Sequence, residues 1–389
     1  MKQRFLTGNR VDLLECGREY FPALIEAFNA ATTEIHLESY IFADDETGRG
    51  IAAALAAAAR RGVAVRVLVD GFGARDFRSE LGRMLQANGV EVLVYRPEVA
   101  SLRLRRNRLR RLHRKLVVVD AAVAFVGGIN VIDDMDTPGQ TPPRYDYAVR
   151  VAGPLLADIH AAARHLWQVV RWAELRHRYH EPDTLLPDVK PKGETIAAFV
   201  IRDNIGHRRD IEEAYLEAIA SAERELIIAS AYFLPGWRFR RALGEAAQRG
   251  VSITVLLQGR VEYLLLHYAT QALYGALLKS GVRILEYRRS FLHAKVAVAD
   301  ETWATVGSSN IEPFSLLLAR EANVVVYDPG FAQRLRDSLR RAIAEGAVEV
   351  SAADVLRRPL AARLFSWFAY GMVRLLIGFS RYGGNDYRE

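Results

Sequence analysis

His113-Arg114-Lys115-Leu116-Val117-Val118-Val119-Asp120, followed by Gly127-Gly128-Ile129-Asn130, recurs as His293-Ala294-Lys295-Val296-Ala297-Val298-Ala299-Asp300 with Gly307-Ser308-Ser309-Asn310. Both copies place Lys two residues after His, Asp seven after His and Asn ten after Asp. The apolar runs read as buried strands, whose side chains alternate faces with period two. His and Lys at i and i+2 therefore share a face and present an imidazole and an ammonium to one small volume. A second apolar strand ends at the glycines, which permit close backbone approach, and Asn130 and Asn310 supply amide donors. One such set is half an anion site. Two together make a pocket of two His, two Lys and two Asn, suited to a phosphoryl group. Ser308 stands where the first copy has Gly128, so only the second offers a hydroxyl to the phosphate.

The repeat extends outward from these stretches. Glu34 to Phe42 and Glu225 to Phe233 read as equivalent strands. Arg61-Gly62-Val63 answers Arg249-Gly250-Val251, and Asn88-Gly89-Val90 answers Ser280-Gly281-Val282. Helical patterns such as the alanine-rich Ile51 to Arg61 and Phe77 to Asn88 alternate with the strands. That alternation predicts an α/β fold whose halves each carry a largely parallel, mixed sheet flanked by helices. Two modules of roughly 150 residues, each with half a site, imply a pseudo-two-fold seam with the site on it. The boundaries expected are 1–181 and 195–351 for the modules, 182–194 for a linker and 352–389 for a tail.

The doubled HxKxxxxD with GGxN or GSxN resembles the phospholipase D superfamily and its HKD motifs, over nearly the whole chain. Surrounding words, Arg202-Asp203-Asn204, Ala231-Tyr232-Phe233-Leu234-Pro235-Gly236 and Trp303-Ala304-Thr305-Val306, are similar to those of the B-type bacterial cardiolipin synthases. The resemblance implies catalysis by His113, Lys115, Asp120, His293, Lys295 and Asp300. A phosphohistidine would form on one histidine while the other acts as acid and base. Analogy favours His113 as nucleophile, although symmetry does not decide. Lys115, Lys295, Asn130, Asn310 and Ser308 would hold the phosphate oxygens. An acid on a later strand of each half would orient a histidine, and Asp146 and Glu321, each opening an apolar strand, fit that place. Asp120 and Asp300 read as holders of loop geometry. No cofactor and no metal is called for.

The activity so implied is transfer of a phosphatidyl group to phosphatidylglycerol, giving cardiolipin, from phosphatidylglycerol or phosphatidylethanolamine as donor. The protein would sit peripherally on the cytoplasmic face of the bacterial inner membrane. The rival expectations are a phospholipase D that mainly hydrolyses and a nuclease of the same superfamily. A net charge of +7 over 389 residues suits anionic lipid or nucleic acid alike. Seven Arg between Ser101 and Lys115 add a basic run beside the first motif. The single cysteine, Cys16, excludes an intramolecular disulfide. The first ten residues do not read as a signal peptide, and no run reaches the 18 or so apolar residues of a spanning helix. Two apolar stretches, Tyr263 to Leu278 and Leu360 to Phe379, read either as core helices or as helices lying in a membrane interface. They favour lipid over nucleic acid. His177 and His180 have helical spacing but no partner set for a metal.

Overall fold

The structure is a computed structural model, and it describes residues 3–97 except 76, 78 and 79, 110–175 except 138 and 140, 185–203, and 206–379 except 314, 316 and 317. Most of the Arg run and the His177/His180 pair lie outside the described residues. The first half contributes strands β1 (Leu6–Glu15), β2 (Glu34–Ser39), β3 (Ala64–Asp70), β4 (Glu91–Tyr95), β5 (Lys115–Val119), β6 (Val123–Gly127) and β7 (Tyr147–Ala152). The second contributes β8 (Thr195–Arg202), β9 (Glu225–Ser230), β10 (Ser252–Gln258), β11 (Arg283–Tyr287), β12 (Lys295–Ala299), β13 (Trp303–Gly307), β14 (Glu321–Tyr327) and β15 (Ala347–Glu349). They form one sheet in the order β15-β11-β10-β9-β12-β13-β14-β8-β1-β7-β6-β5-β2-β3-β4.

Read outward from the central antiparallel β1–β8 pair, the two sides list equivalent strands in the same order. The repeat legible in the sequence is thus a pseudo-two-fold in the sheet. Its punctuation repeats too. Gly62 and Gly250 both adopt φ near +94°, and Gly89 and Gly281 lie at +84° and +90°, a region that glycine enters without strain.

The α/β class holds, but the balance of strand directions needs correcting. Among the named strands of the described residues, only β2–β3, β3–β4, β9–β10 and β10–β11 pair in parallel. The remaining pairings are antiparallel. Helical crossovers produce the parallel pairs, whereas the strands that carry the motifs are joined otherwise. Three residues separate β5 from β6, and so short a link permits only an antiparallel hairpin.

Helices α1 (Cys16–Ala30), α2 (Glu46–Arg60) and α3 (Leu81–Ala87) serve the outer core of the first half. The third is shorter than the expected Phe77 to Asn88. Asp45 caps α2 by accepting from Gly48 N at 2.8 Å. The long α4 (Leu156–Leu175) comes next, and α5 (Asp210–Ser221), α6 (Trp237–Gln248) and α7 (Leu264–Lys279) cover the second half. After them run α8 (Pro329–Gly346), α9 (Ala352–Arg357) and α10 (Leu360–Phe379). A core common to both halves joins Leu116, Val118, Val296 and Val298 with Ile159 of α4 and Leu335 of α8. The alternate residues Val117 and Val119 face the outer core of the first half. Period-two alternation thus places each motif strand between two apolar layers and leaves its N-terminal end at the seam.

Asp120 and Asp300 sit at the far ends of β5 and β12, in the left-handed region at φ 51° and 45°, which aspartate tolerates. Asp120 accepts from the backbone N–H groups of Thr32, Thr33 and Glu34, and Asp300 from those of Glu223, Arg224 and Glu225. Both carboxylates are therefore ties between the motif hairpin and the entrance of β2 or β9. Expected among the catalytic groups and as holders of loop geometry, they are placed by the structure at the strand ends away from the histidines, with their oxygens on backbone N–H groups. Asp300→Ala is expected to lower unfolding free energy by roughly 2–3 kcal/mol, the scale of lost hydrogen bonds to an ionised group. Turnover per folded molecule should remain within about threefold. Calorimetry together with an assay on the folded fraction checks this, and a large fall in turnover with unchanged stability would contradict it.

Candidate active site

The segments before β5 and β12 reach across the seam. His113 N donates to Arg320 O at 3.0 Å, and Leu112 bridges to Arg320. In the equivalent crossing His293 N donates to Tyr145 O at 2.8 Å, and Leu292 bridges to Tyr145. Each histidine is thereby set beside the acid of the opposite half. His113 Nδ1 lies 3.0 Å from both carboxylate oxygens of Glu321, and His293 Nδ1 lies 2.6 Å from Asp146 Oδ2. The two acids expected to orient the histidines thus lie within hydrogen-bonding distance of them, each reaching the histidine of the opposite half. With Nδ1 held by a carboxylate, Nε2 is the nitrogen left for chemistry in each ring.

The lysines are buried beneath them. Lys115 Nζ donates to His113 O at 2.8 Å and lies over the Tyr40 ring. Lys295 Nζ donates to His293 O and lies 3.6 Å from Asp146 Oδ2. Burial and neighbouring charge set the protonation of the group. Burial, then repulsion from Lys295, holds His293 down to about 3, and burial likewise lowers His113. Burial lowers Lys115 to about 7 and also lowers Lys295. Burial alone would raise Asp146 and Glu321, yet the facing histidines and lysines keep both below the usual carboxylate range. The site at rest pairs neutral histidines with ionised acids. Attraction for a phosphate then falls to the lysine ammonium groups, and the charge of a bound phosphate would favour return of protons to the histidines.

A pH dependence follows. His293 has its folded pKa depressed from 6.5 to about 3, so between those values the unfolded chain binds more protons. Stability is full above about pH 6.5 and is lost as pH falls toward 3. The lowered carboxylates act in the same direction further into acid. We expect the melting temperature to fall steadily below pH 6.5 and the fall to be shallower in His293→Gln. Equal slopes for the two proteins in melts from pH 4 to 8 would count against this assignment of charge.

Asn130 and Asn310 are buried and line the same cleft as both histidines. Asn130 Oδ1 accepts from Ile41 N at 3.1 Å, whereas Asn310 Oδ1 has no hydrogen-bond partner among the described residues. Ser308 is corrected. Its hydroxyl donates to Glu321 Oε2 at 2.6 Å and accepts from Ala322 N at 3.0 Å, so its hydrogen-bonding capacity is directed at the acid and the β14 backbone. Gly128 has the complementary reason: a Cβ there would stand 2.3 Å from Asp146 Oδ1. The halves thus pair Gly with Asp and Ser with the longer Glu.

The cleft between the histidines has a volume of about 440 Å³. Several of its walls were not anticipated from the sequence as site residues: Tyr40, Arg111, Arg144, Tyr232, Glu262 and Glu312. They stand on connections outside the named strands and helices, where no periodicity marks them. Tyr40 packs on His113 with ring centroids 4.9 Å apart. Glu34, His36 and His160 gather their ligand atoms elsewhere, but Arg66 lies 3.0 Å from Glu34 Oε2 and 3.2 Å from His36 Nε2. A guanidinium already supplies the positive charge in that cluster.

The family described as "Cardiolipin synthase, PLD-like domain" matches residues 24–135 and 215–343, the two stretches that hold both histidines and both lysines. The chain belongs to this family of enzymes. It is 42% identical over 360 residues to the cardiolipin synthase B of Shigella flexneri, covering 90% of this chain and 84% of the relative. It is 30% identical over 369 residues to the major cardiolipin synthase of Bacillus subtilis, covering 92% and 74%. The fold is similar to that of the phosphatidylserine synthase of Haemophilus influenzae, with a TM-score of 0.70, 14% identity, and coverage of 96% and 97%. It is also similar to the polyphosphate kinase of Porphyromonas gingivalis, at TM-score 0.58 and 16% identity, over 96% of this chain and 54% of that one.

Proposed function

We propose that this PLD-family phosphatidyltransferase makes cardiolipin, passing a phosphatidyl group from one phospholipid to the glycerol hydroxyl of phosphatidylglycerol. The carrying observation is the pair of histidines facing one cleft, each fixed at Nδ1 by a carboxylate from the other half. In the first step Nε2 of one histidine forms a bond to phosphorus. The bond from phosphorus to the departing headgroup oxygen breaks, and the second histidine gives that oxygen a proton. In the second step the incoming hydroxyl loses its proton to the second histidine, its oxygen bonds to phosphorus, and the phosphohistidine bond breaks. Lys115, Lys295, Asn130 and Asn310 steady the charge on the non-bridging oxygens. On this reading 1–181 and 195–351 are the two half-sites, 182–194 joins them and 352–389 is the tail.

The tail supports a membrane-surface substrate. One face of α10 buries Ser366, Ala369 and Val373 against the second half, with Tyr268 of α7 edge-on to Phe365. Leu360, Leu364, Trp367, Phe368 and Leu375 remain exposed. No helix among the described residues is long and apolar enough to cross a membrane. The same helix is both docked and apolar outward, which unites the two readings of the stretch. We assign that face to peripheral contact with the inner, anionic membrane surface.

Lipid mass spectrometry on purified protein in EDTA tests the proposal, with phosphatidylglycerol vesicles with and without phosphatidylethanolamine. Cardiolipin that vanishes in His113→Ala and His293→Ala is the expected result. The vesicle that responds names the donor. Phosphatidic acid alone would make the protein a hydrolase, and cleavage of single-stranded DNA without any lipid product would move it to the nucleases.

A further inference from the structure

The cleft is symmetric at its centre and asymmetric in its walls. Phe42 bridges to Val131 in the first half as Phe233 bridges to Ile311 in the second. Ala43 N donates to Val131 O as Leu234 N donates to Ile311 O. These matched contacts make Ile41 the counterpart of Tyr232 and Ile132 the counterpart of Glu312, and all four side chains line the cleft. Where the first half presents two isoleucines, the second presents a phenol and a carboxylate.

The polar wall is connected. Tyr232 OH donates to Glu262 Oε2, and the Tyr232 and Tyr263 rings meet edge-on at 5.5 Å. Glu312 is buried and accepts from Ser315 N at 2.6 Å through Oε1. Glu262 is close enough to Lys295 to favour its charged form, which places this wall beside the reacting centre. Two carboxylates beside a phosphate site repel the phosphate, so they serve another part of the ligand. That part donates hydrogen bonds. An added ammonium is disfavoured, because Arg111, Arg144, Lys115 and Lys295 already stand in or under the cleft. The Tyr40 and Phe72 rings are also taken by Lys115, Arg75 and Arg111. Neutral hydroxyls meet both conditions.

We propose that Tyr232, Glu262 and Glu312 form the subsite that reads the hydroxyls of the acceptor alcohol, so that the second-half wall selects polyol acceptors such as a glycerol headgroup. This rests on the phosphatidyltransferase reading and assigns specificity within it. The phosphorus keeps its diacylglycerol ester throughout. Its bond to the first headgroup oxygen is exchanged for one to the polyol oxygen, with the polyol proton leaving on the departing alcohol.

The test is competition between two free acceptors, glycerol and propan-1-ol, for the phosphatidyl group of one phospholipid donor in vesicles, with ethanolamine as a third arm. Wild type is expected to favour glycerol. Glu312→Gln and Tyr232→Phe are expected to lower the ratio of glycerol to propan-1-ol product about tenfold, the effect of one lost charge-assisted hydrogen bond. The loss should appear in KM for glycerol more than in kcat. Tyr232→Ile, which copies the first-half wall, should lower the ratio further. An unchanged ratio overturns the proposal, as does an equal fall for both alcohols. A selective loss of ethanolamine product overturns it in favour of an ammonium site. Failure of wild type to transfer to any alcohol would instead remove the phosphatidyltransferase reading on which the proposal stands.

Discussion

Glu321→Gln is expected to lower kcat for phosphatidyl transfer by roughly 10³–10⁴-fold while the protein stays folded, and Asp146→Asn to do the same. The magnitude is that of removing a carboxylate that fixes the tautomer of a catalytic imidazole. Glu321 touches no histidine of its own half, and its target is His113. Combining Glu321→Gln with His113→Ala should therefore add little to His113→Ala alone, because both remove one unit. Glu321→Gln with Asp146→Asn should be worse than either, since the two disable different histidines. Single-turnover assays with acid quench would separate the steps. Glu321→Gln that loses less than tenfold would contradict the crosswise pairing as a catalytic device.

The second large effect concerns the tail. Trp367→Glu with Phe368→Glu and Leu364→Glu should reduce partitioning onto anionic vesicles by at least 100-fold. Burial of each of these side chains contributes about 1.5–3 kcal/mol when complete, and each replacement adds a charge that the membrane surface repels. All three are well exposed, so folding should be spared. Sedimentation with vesicles measures binding. Turnover of a short-chain, water-soluble phospholipid reports whether the active site survives, and it should be retained within about threefold. Unchanged vesicle binding would return α10 to a purely structural role.

Much of this molecule is written in its sequence, and the omissions have physical causes. Spacing from His113 to Asn130 fixed two strands and a glycine turn, because period two and a close backbone approach leave few alternatives. The repeat brought out the pseudo-two-fold, down to Gly62 and Gly250. Which half's acid meets which histidine was not legible, because strand patterns carry no information on how the two halves of the sheet meet. Ser308 was misjudged by type: a hydroxyl near a phosphate site invites one role, and only the register across β13 and β14 reveals that it points back at Glu321. Strand direction was overextended from the helical crossovers to the hairpins. Tyr232 and Glu312 were hidden because they differ from their counterparts, and a search for likeness passes over difference.

The crosswise acids carry a consequence for how such a protein is put together. Neither half contains both members of an active-site histidine–carboxylate pair, so each expressed alone should be inert, whatever its folding. Two separate halves could in principle associate through β1 and β8 and recover the chemistry, and the covalent connection then acts chiefly as a high effective concentration. A dimer of identical halves would also have both pairs, but it would be compelled to offer the same wall to both sides of the phosphorus. Joining the halves in one chain lifts that constraint, and donor and acceptor become distinguishable to the enzyme.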